Sequence, residues 1–226
     1  MFDYDKLFST ENEFSETLIG IEDELGKKTC SEDIKLCSDY HLFREYRKKF
    51  IDAGFCPGAF PINRTENIIK MHNKYVKKSD IFVFFGDCVD DQLYNDTKND
   101  YKNAPDLLKR SEDIFKNQLN GRIKIIILGN NDLGSEDLYI KNYGFDYVIH
   151  GPVTFGNHIL SHEPVEVPKG KINIHGHIHF KKTYFDIDWR RHIDVCIDNL
   201  GHPMIMKDVY KLYAKGFFNG ETIKTK

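Results

Sequence analysis

Clusters of aspartate, asparagine and histidine recur along this chain, and each follows a short apolar run. The clusters are Asp39-Tyr40-His41, Asp87, Asn130-Asn131-Asp132, His162 and His177-Ile178-His179. Six of the ten histidines fall between positions 150 and 179. Ligand sites in open α/β sheets form at the carboxyl ends of the strands, so we expect these side chains to meet at one edge of a sheet.

The donor types in these clusters indicate which metals they would bind. Oxygen and nitrogen ligands of this kind suit Mn, Fe, Zn, Co or Ni better than a metal that prefers thiolates. The clusters contain more ligands than one ion needs, which favours two ions that share a carboxylate. Two ions about 3.5–4 Å apart activate water and stabilise the attacking and leaving oxygens of a displacement at phosphorus. The predicted chemistry is therefore hydrolysis of a phosphate ester.

The order of the motifs resembles that of the calcineurin-like metallophosphoesterases, whose pattern is D-x-H, GD-x-x-D, GN-x-D/E, a lone His and GH-x-H. The matching segments are Asp39-Tyr40-His41, Gly86-Asp87-Cys88-Val89-Asp90, Gly129-Asn130-Asn131-Asp132, His162 and Gly176-His177-Ile178-His179. The resemblance runs from about Ile34 to His179. The segment from His192 to Asp198 also resembles the closing strand and turn of small bacterial and phage members.

The resemblance implies a role for each matched position. It places Asp39, His41 and His179 on one ion, Asn130, His162 and His177 on the other, Asp87 between the two, and Asp90 as a supporting acid. We assign Asn131 and Asp132 to catalysis. Many family members have His where this chain has Asn131, and that His acts as general acid or positions phosphate. Because an amide cannot give up a proton at working pH, Asn131 would orient a phosphate oxygen, and His150 and His175 are alternative acids.

Apolar periodicity and turn residues predict the elements that position these clusters. Strands are expected at Ile34–Cys37, Ile81–Phe85, Ile123–Leu128, Tyr147–His150, His158–Ser161, Ile172–His175 and Ile193–Ile197, and helices at 42–52, 63–78, 105–119, 135–144 and 204–214. This pattern predicts the α/β class. The resemblance adds two packed mixed sheets flanked by helices, in a four-layer sandwich. Residues 1–33 would be an acidic N-terminal extension and residues 34–226 the metallophosphoesterase domain.

Composition predicts a protein that is neither secreted nor embedded in a membrane. The net charge is −3, which provides no overall attraction to nucleic acid or to anionic lipid. Five cysteines without a C-x-x-C pair argue against a disulfide framework or a structural zinc site. The N-terminus lacks the features of a secretory signal, and the apolar runs are too short to span a bilayer. A cytoplasmic location is expected, and the oligomeric state stays open.

Three functions remain open at this level. The first is hydrolysis of a small phosphoester or nucleotide. The second is a nuclease or phosphodiesterase activity, for which the aromatic and basic residues of 180–192 would provide a channel. The third is a catalytically silent scaffold, although scaffolds tend to lose ligands and this chain keeps seven. Arg64 is a possible contact for a substrate phosphate, whereas His72 and His202 are not expected to bind metal.

Overall fold

The computed structural model describes residues 34–44, 60, 62–90, 104–155, 158–179 and 191–209, with the backbone of 217–218 and 221–222. In chain order the strands are β1 (Ile34–Cys37), β2 (Ile81–Phe84), β3 (Ile123–Ile127), β4 (Tyr147–Ile149), β5 (Val153–Phe155), β6 (His158–Ser161), β7 (Ile172–His175), β8 (His192–Asp194), β9 (Met204–Ile205), β10 (Phe217–Phe218) and β11 (Glu221–Thr222). The helices are α1 (Arg64–Tyr75), α2 (Ala104–Asp113) and α3 (Ile197–Leu200), with π-helical turns at Ile114–Gln118 and Leu138–Asn142.

Two mixed sheets carry the candidate ligands. The first has the strand order β4-β3-β2-β1-β9, and the second has the order β5-β6-β7-β8. Strands β1 to β4 pair in parallel, and β9 pairs with β1 antiparallel. In the second sheet β6, β7 and β8 are parallel, and β5 is antiparallel to β6. The carboxyl ends of the parallel strands therefore point the same way within each sheet.

The two sheets pack face to face through alternating aliphatic side chains. Leu36, Val83 and Ile125 of the first sheet share one buried core cluster with Leu160 and Ile174 of the second. Side chains in a strand alternate between faces, so the intervening residues point away from this core. The α/β class is therefore confirmed, as is the packing of two mixed sheets with flanking helices.

Helices cover the other face of the first sheet, where the side chains are aromatic. Phe82 and Phe84 point to this side and pack with Tyr40 and with Phe115 from the π-helical turn after α2. The ring of Tyr40 lies 4.7 Å from that of Phe84, measured between centroids. Tyr40 is the central residue of the D-x-H motif, so this packing fixes the loop that carries Asp39 and His41.

Several sequence-predicted boundaries differ from the structure near the C-terminal end. The strand expected over Ile193–Ile197 ends at Asp194, because the Asp194 carboxylate accepts the backbone N–H of Cys196 at 2.8 Å and turns the chain into α3. The helix expected over 204–214 is preceded by β9, and its described part covers only 206–209. The short edge strand β5 was missed, because it lacks a long apolar run.

Some predictions fall on residues that the structure does not describe. The N-terminal extension at 1–33 lies outside the described residues, as does the segment 180–190 and most of the helix expected over 42–52. The first residues of the helix expected over 42–52, residues 42–44, are described and are not helical. Within the described part of the chain, no helix combines the length and apolar character needed to cross a membrane.

Candidate metal centre

The loops that carry the candidate ligands are joined to one another by backbone hydrogen bonds. Asp39 donates its N–H to the carbonyl of Gly86 at 2.9 Å, and His41 donates to that of Asp87 at 3.0 Å. In the second sheet, Gly176 donates to the carbonyl of His162 at 2.9 Å. These bonds continue the strand pairing into the loops, so the D-x-H and GD-x-x-D motifs lie side by side.

Four of the candidate ligands have a backbone conformation that residues other than glycine rarely adopt. Their φ angles are 61° at Asp39, 38° at His41, 61° at Asp87 and 68° at His177. Each such residue costs of order 1–3 kcal/mol, and such residues cluster at functional sites. The left-handed turn directs each side chain back over the end of its strand, towards the neighbouring motif.

The glycine before each of three motifs allows a close approach of the loops. A Cβ atom on Gly86 would collide with the backbone of Gly129, and one on Gly129 would collide with the Asp87 carboxylate. A Cβ atom on Gly176 would meet Ser38 and Asp39. The glycines of GD, GN and GH are therefore needed for space, and the collisions at Gly86 involve backbone that cannot move aside.

The first donor group consists of Asp39 Oδ1, His41 Nε2 and His179 Nε2. The two histidine nitrogens lie 2.9 Å apart, and His179 Nε2 lies 3.2 Å from Asp39 Oδ1. The other oxygen of Asp39 is held by the Ser38 hydroxyl and by the backbone N–H of His177. Asp39 Oδ1 itself is buried and has no hydrogen-bond partner among the described residues.

The second donor group consists of Asn130 Oδ1, His162 Nε2 and His177 Nδ1. Asn130 Oδ1 lies 2.9 Å from both histidine nitrogens, which are 3.2 Å from each other. Asp87 Oδ2 lies between the two groups, 3.4 Å from His41 Nε2 and 3.5 Å from His162 Nε2. All seven predicted ligand residues therefore converge at one place.

This arrangement fits divalent cations. Donors that share one cation at about 2.1 Å lie about 3.0–3.4 Å from each other. The separations run from 2.9 to 3.8 Å in the first group and from 2.9 to 3.2 Å in the second. A cation would also give Asp39 Oδ1 the partner that it lacks, and a buried oxygen without a partner is costly. The described residues contain sets of acids and histidines that could hold a metal ion. One set is Asp39, His41 and Asp87, and another is Asp87, His162 and His177.

Burial and charge shift the pKa values of the histidines in opposite directions. Burial lowers the pKa of His41 to about 4, despite the nearby Asp39. Burial also opposes protonation of His179, but the adjacent carboxylates of Asp198 and Asp39 outweigh it and raise the pKa of His179 to about 9. The carboxylates make this buried pocket strongly attractive to positive charge.

Asn131 and Asp132 both form hydrogen bonds within the loops that carry the ligands. The backbone N–H of Asn131 donates to Asp87 Oδ1 at 3.0 Å, and its side-chain amide donates to Asp87 Oδ2 at 2.7 Å. Asp132 accepts backbone N–H groups from Asp87 at 2.7 Å, Gly129 at 2.8 Å and Cys88 at 3.0 Å. Asp132 thus holds the GD and GN loops together, and burial beside Asp87 raises its pKa to about 6.

The possible contact of Arg64 with a substrate phosphate is not supported by the structure. Arg64 is buried and pairs with Asp198, with 2.6 Å between Nη1 and Oδ1. Asp198 in turn accepts a hydrogen bond from His179 Nδ1 at 2.7 Å. The sequence alone does not predict a role for Asp198. The pattern that could have indicated one is an acid next to a short strand, in the segment that resembles the family's closing turn.

The remaining singled-out histidines make contacts outside the two donor groups. His72 is buried between the Tyr40 hydroxyl and the Asn120 carbonyl, each at 2.7 Å, and the ring of His202 stacks on Tyr75. His150 pairs with Glu136 at the surface. His175 is buried, and its Nδ1 contacts the carbonyl of Gly176 at 2.8 Å.

The acid of the GD-x-x-D motif supports the neighbouring loop. Asp90 is buried, and its Oδ2 lies 3.9 Å from Arg44 Nε. Its backbone N–H also donates to the carbonyl of Leu42 at 3.0 Å. The contacts of Asp90 therefore extend the link between the D-x-H and GD-x-x-D loops beyond the ligands themselves.

Comparison with solved structures supports the fold. The protein of unknown function AQ665 from Aquifex aeolicus is 21% identical, with a TM-score of 0.51, over 79% of this chain and 98% of that chain. The nuclease MPE of Pseudomonas putida is 14% identical, with a TM-score of 0.37, over 66% of this chain and 62% of that chain, which is too distant to carry an argument. No family model matches the chain, and no curated protein shows significant similarity. Fold and site together define an α/β protein with a candidate metal centre.

Proposed function

We propose that this protein is a metal-dependent phosphoesterase that holds two divalent transition-metal ions, with manganese as the first candidate. The observation that carries the proposal is the position of Asp87 Oδ2 between two sets of three donors, 3.4 Å from one histidine and 3.5 Å from another. One carboxylate oxygen in that position suits a bridge between two cations. The mixed oxygen and nitrogen donors suit Mn, Fe, Zn, Co or Ni.

The protein's own residues would bind and orient. Asp39, His41 and His179 would hold the first ion, and Asn130, His162 and His177 the second. When bound, such a pair lowers the pKa of water and stabilises negative charge on a phosphoryl group. Asn131 and Asp132 would keep Asp87 in place through the hydrogen bonds described above, so we now assign both to positioning rather than to proton transfer.

The proposed substrate is a small phosphoester or a nucleotide. An overall charge of −3 supports this choice over nucleic acid, because a nuclease gains much of its affinity from contacts between basic residues and phosphates. Retention of all seven ligand residues in a converging arrangement argues against a catalytically silent scaffold. Without bound metal, the carboxylates buried in this site would destabilise the folded state.

A substrate panel with added manganese tests the proposal. The panel contains an aryl phosphate, an aryl phosphodiester, mononucleotides, cyclic nucleotides and single-stranded DNA. We expect metal-dependent hydrolysis of small substrates that is lost in Asp87→Asn and retained in the surface control Asp137→Asn, whose exposed side chain pairs with Lys141. Faster cleavage of DNA than of any small substrate would favour a nuclease, and no hydrolysis of any substrate would contradict the proposal.

A further inference from the structure

A buried ion pair lies directly behind the first donor group. Arg64 Nη1 donates to Asp198 Oδ1 at 2.6 Å, and Nη2 donates to Asp198 Oδ2 at 3.2 Å. The two side chains expose at most 2% of their surface. Asp198 Oδ2 also accepts the hydrogen bond from His179 Nδ1 at 2.7 Å. The guanidinium is thus linked to the ring of His179 through a single carboxylate.

Arg64 also binds the loop that carries the other ligands of this group. Its Nε donates to the carbonyl of Tyr40 at 2.8 Å, and Nη2 donates to the carbonyl of Asp39 at 2.8 Å. One side chain therefore ties the backbone of Asp39 to the ring of His179, although the paired residues Arg64 and Asp198 are 134 positions apart in the chain. Asp39 Oδ1 and His179 Nε2 are the two donors that these contacts bring to 3.2 Å.

We propose that Asp198 and Arg64 are positioning residues for the first cation, an inference that rests on the proposed function. By accepting the N–H at Nδ1, Asp198 fixes the tautomer of His179 that leaves the lone pair of Nε2 directed at Asp39. A carboxylate behind a ligating histidine also makes the imidazole a better donor. Arg64 holds Asp198 and the D-x-H backbone in register, so the geometry of the site depends on both.

The second donor group has a different support, which makes the inference specific. His162 donates its Nδ1–H to the backbone carbonyl of Phe85 at 2.6 Å, a neutral acceptor that no side-chain change removes. Loss of the Asp198 charge should therefore lower the affinity for the first cation and leave the affinity for the second nearly unchanged. A pair that only stabilised the fold would not distinguish the two cations.

The use of arginine rather than lysine follows from the number of bonds. Arg64 makes four hydrogen bonds with three nitrogens held in one plane, to two carbonyl groups and two carboxylate oxygens. Lysine offers three donors from a single atom and cannot span these acceptors. Arg64→Lys should therefore loosen the first donor group while the positive charge is retained.

The experiment is a manganese titration of the metal-free protein, in which calorimetry measures the binding affinities. We expect two binding events in the wild type, and in Asp198→Asn a 10–100-fold loss of affinity at one of them, the usual range for such outer contacts. The matched control is Asp80→Asn, which removes another buried carboxylate, paired with Lys35 at 3.4 Å on the opposite end of the first sheet. Asp80→Asn should lower the melting temperature and leave both affinities unchanged.

The outcomes of this titration separate the inference about Asp198 and Arg64 from the proposed function. Two unchanged affinities in folded Asp198→Asn, or an equal loss at both sites, would overturn the inference and leave the proposed function standing. A wild type that binds no metal would overturn both. If Asp198→Asn does not fold, the wild type loaded with zinc decides through the ¹⁵N signals of its histidines. A protonated, strongly hydrogen-bonded Nδ1 on His179 supports the inference, and an unprotonated Nδ1 overturns it.

Discussion

The side-chain amide of Asn131 donates a hydrogen bond of 2.7 Å to Asp87 Oδ2, the oxygen that lies between the two donor groups. The backbone N–H of the same residue donates to the other carboxylate oxygen at 3.0 Å. Asn131 therefore fixes the orientation of the candidate bridging carboxylate. From the sequence we expect this residue to orient a phosphate oxygen, and the contact with Asp87 gives it a role before any substrate binds.

The first prediction follows from this contact. Asn131→Ala removes one of the two hydrogen bonds from Asn131 to Asp87, so we expect roughly tenfold weaker binding of both ions, since the carboxylate serves both. Calorimetric titration with manganese measures the change. The control is Asn142→Ala, which removes a surface amide bonded to Glu112. Affinities as high as in the wild type would show that Asn131 is not needed to hold Asp87.

The second prediction concerns the leaving group. An amide cannot supply the proton that a departing alkoxide needs, and a positioned acid typically contributes about 10²–10⁴-fold. We therefore expect aryl phosphoesters to be cleaved much faster than simple alkyl esters, as measured by single-turnover kinetics. Asn131→His should improve the alkyl substrates selectively. Similar rates for both ester types, with only the alkyl activity lost in His150→Ala or in His175→Ala, would place the acid at that histidine.

The third prediction separates the bridging ligand from the others. Asp87→Asn should weaken the binding of both ions, because Asp87 Oδ2 lies near histidines of both donor groups. Asp39→Asn should weaken mainly the binding of the first ion, and His177→Ala mainly that of the second. Metal content and binding curves of the three variants provide the measurement. Equal weakening of both ions in Asp39→Asn, or weakening of a single ion in Asp87→Asn, would contradict the assignment of the bridge.

The fourth prediction concerns the pH dependence of folding. His72 is buried between Tyr40 and Asn120, and burial lowers its pKa from 6.5 to about 4. Between these values the unfolded chain binds a proton that the folded chain excludes, so His72 destabilises the fold as the pH falls from 6.5 towards 4. The added slope is at most about 1.4 kcal/mol per pH unit, the value for one proton.

Chemical unfolding of the metal-free protein between pH 7 and pH 4 tests this slope. His72→Gln cannot titrate, so its free energy of unfolding should fall less steeply with acidification than that of the wild type. The variant should also be less stable at pH 7, because two buried hydrogen bonds are disturbed. Parallel curves for the two proteins across the whole range would contradict the assignment.

The sequence predicts which residues meet because each motif follows an apolar strand. Parallel strands bring their carboxyl ends to the same edge of a sheet, so Asp39, Asp87 and Asn130 are placed by β1, β2 and β3 without knowledge of the tertiary structure. The histidines of the second sheet follow by the same reasoning. The α/β class and the seven converging positions were therefore accessible from the pattern alone.

Other features depend on contacts between distant elements, and no local pattern encodes them. The pairing of Arg64 with Asp198 joins the start of α1 to α3, whereas the sequence indicated only a possible contact of Arg64 with a substrate phosphate. The backbone hydrogen bonds to Asp132 show it holding two loops, which its place in the GN-x-D/E motif does not indicate. The left-handed conformation of Asp39 and His177 likewise appears only in the folded chain.

The central claim is that two ions bind side by side and share Asp87. The most direct measurement is electron paramagnetic resonance of the protein titrated with manganese, combined with elemental analysis of the same samples. We predict two manganese ions per folded chain and a spectrum of exchange-coupled pairs, as expected for ions about 3.5–4 Å apart. A folded protein that binds no manganese, or that binds one or two ions with only uncoupled signals, would contradict the claim.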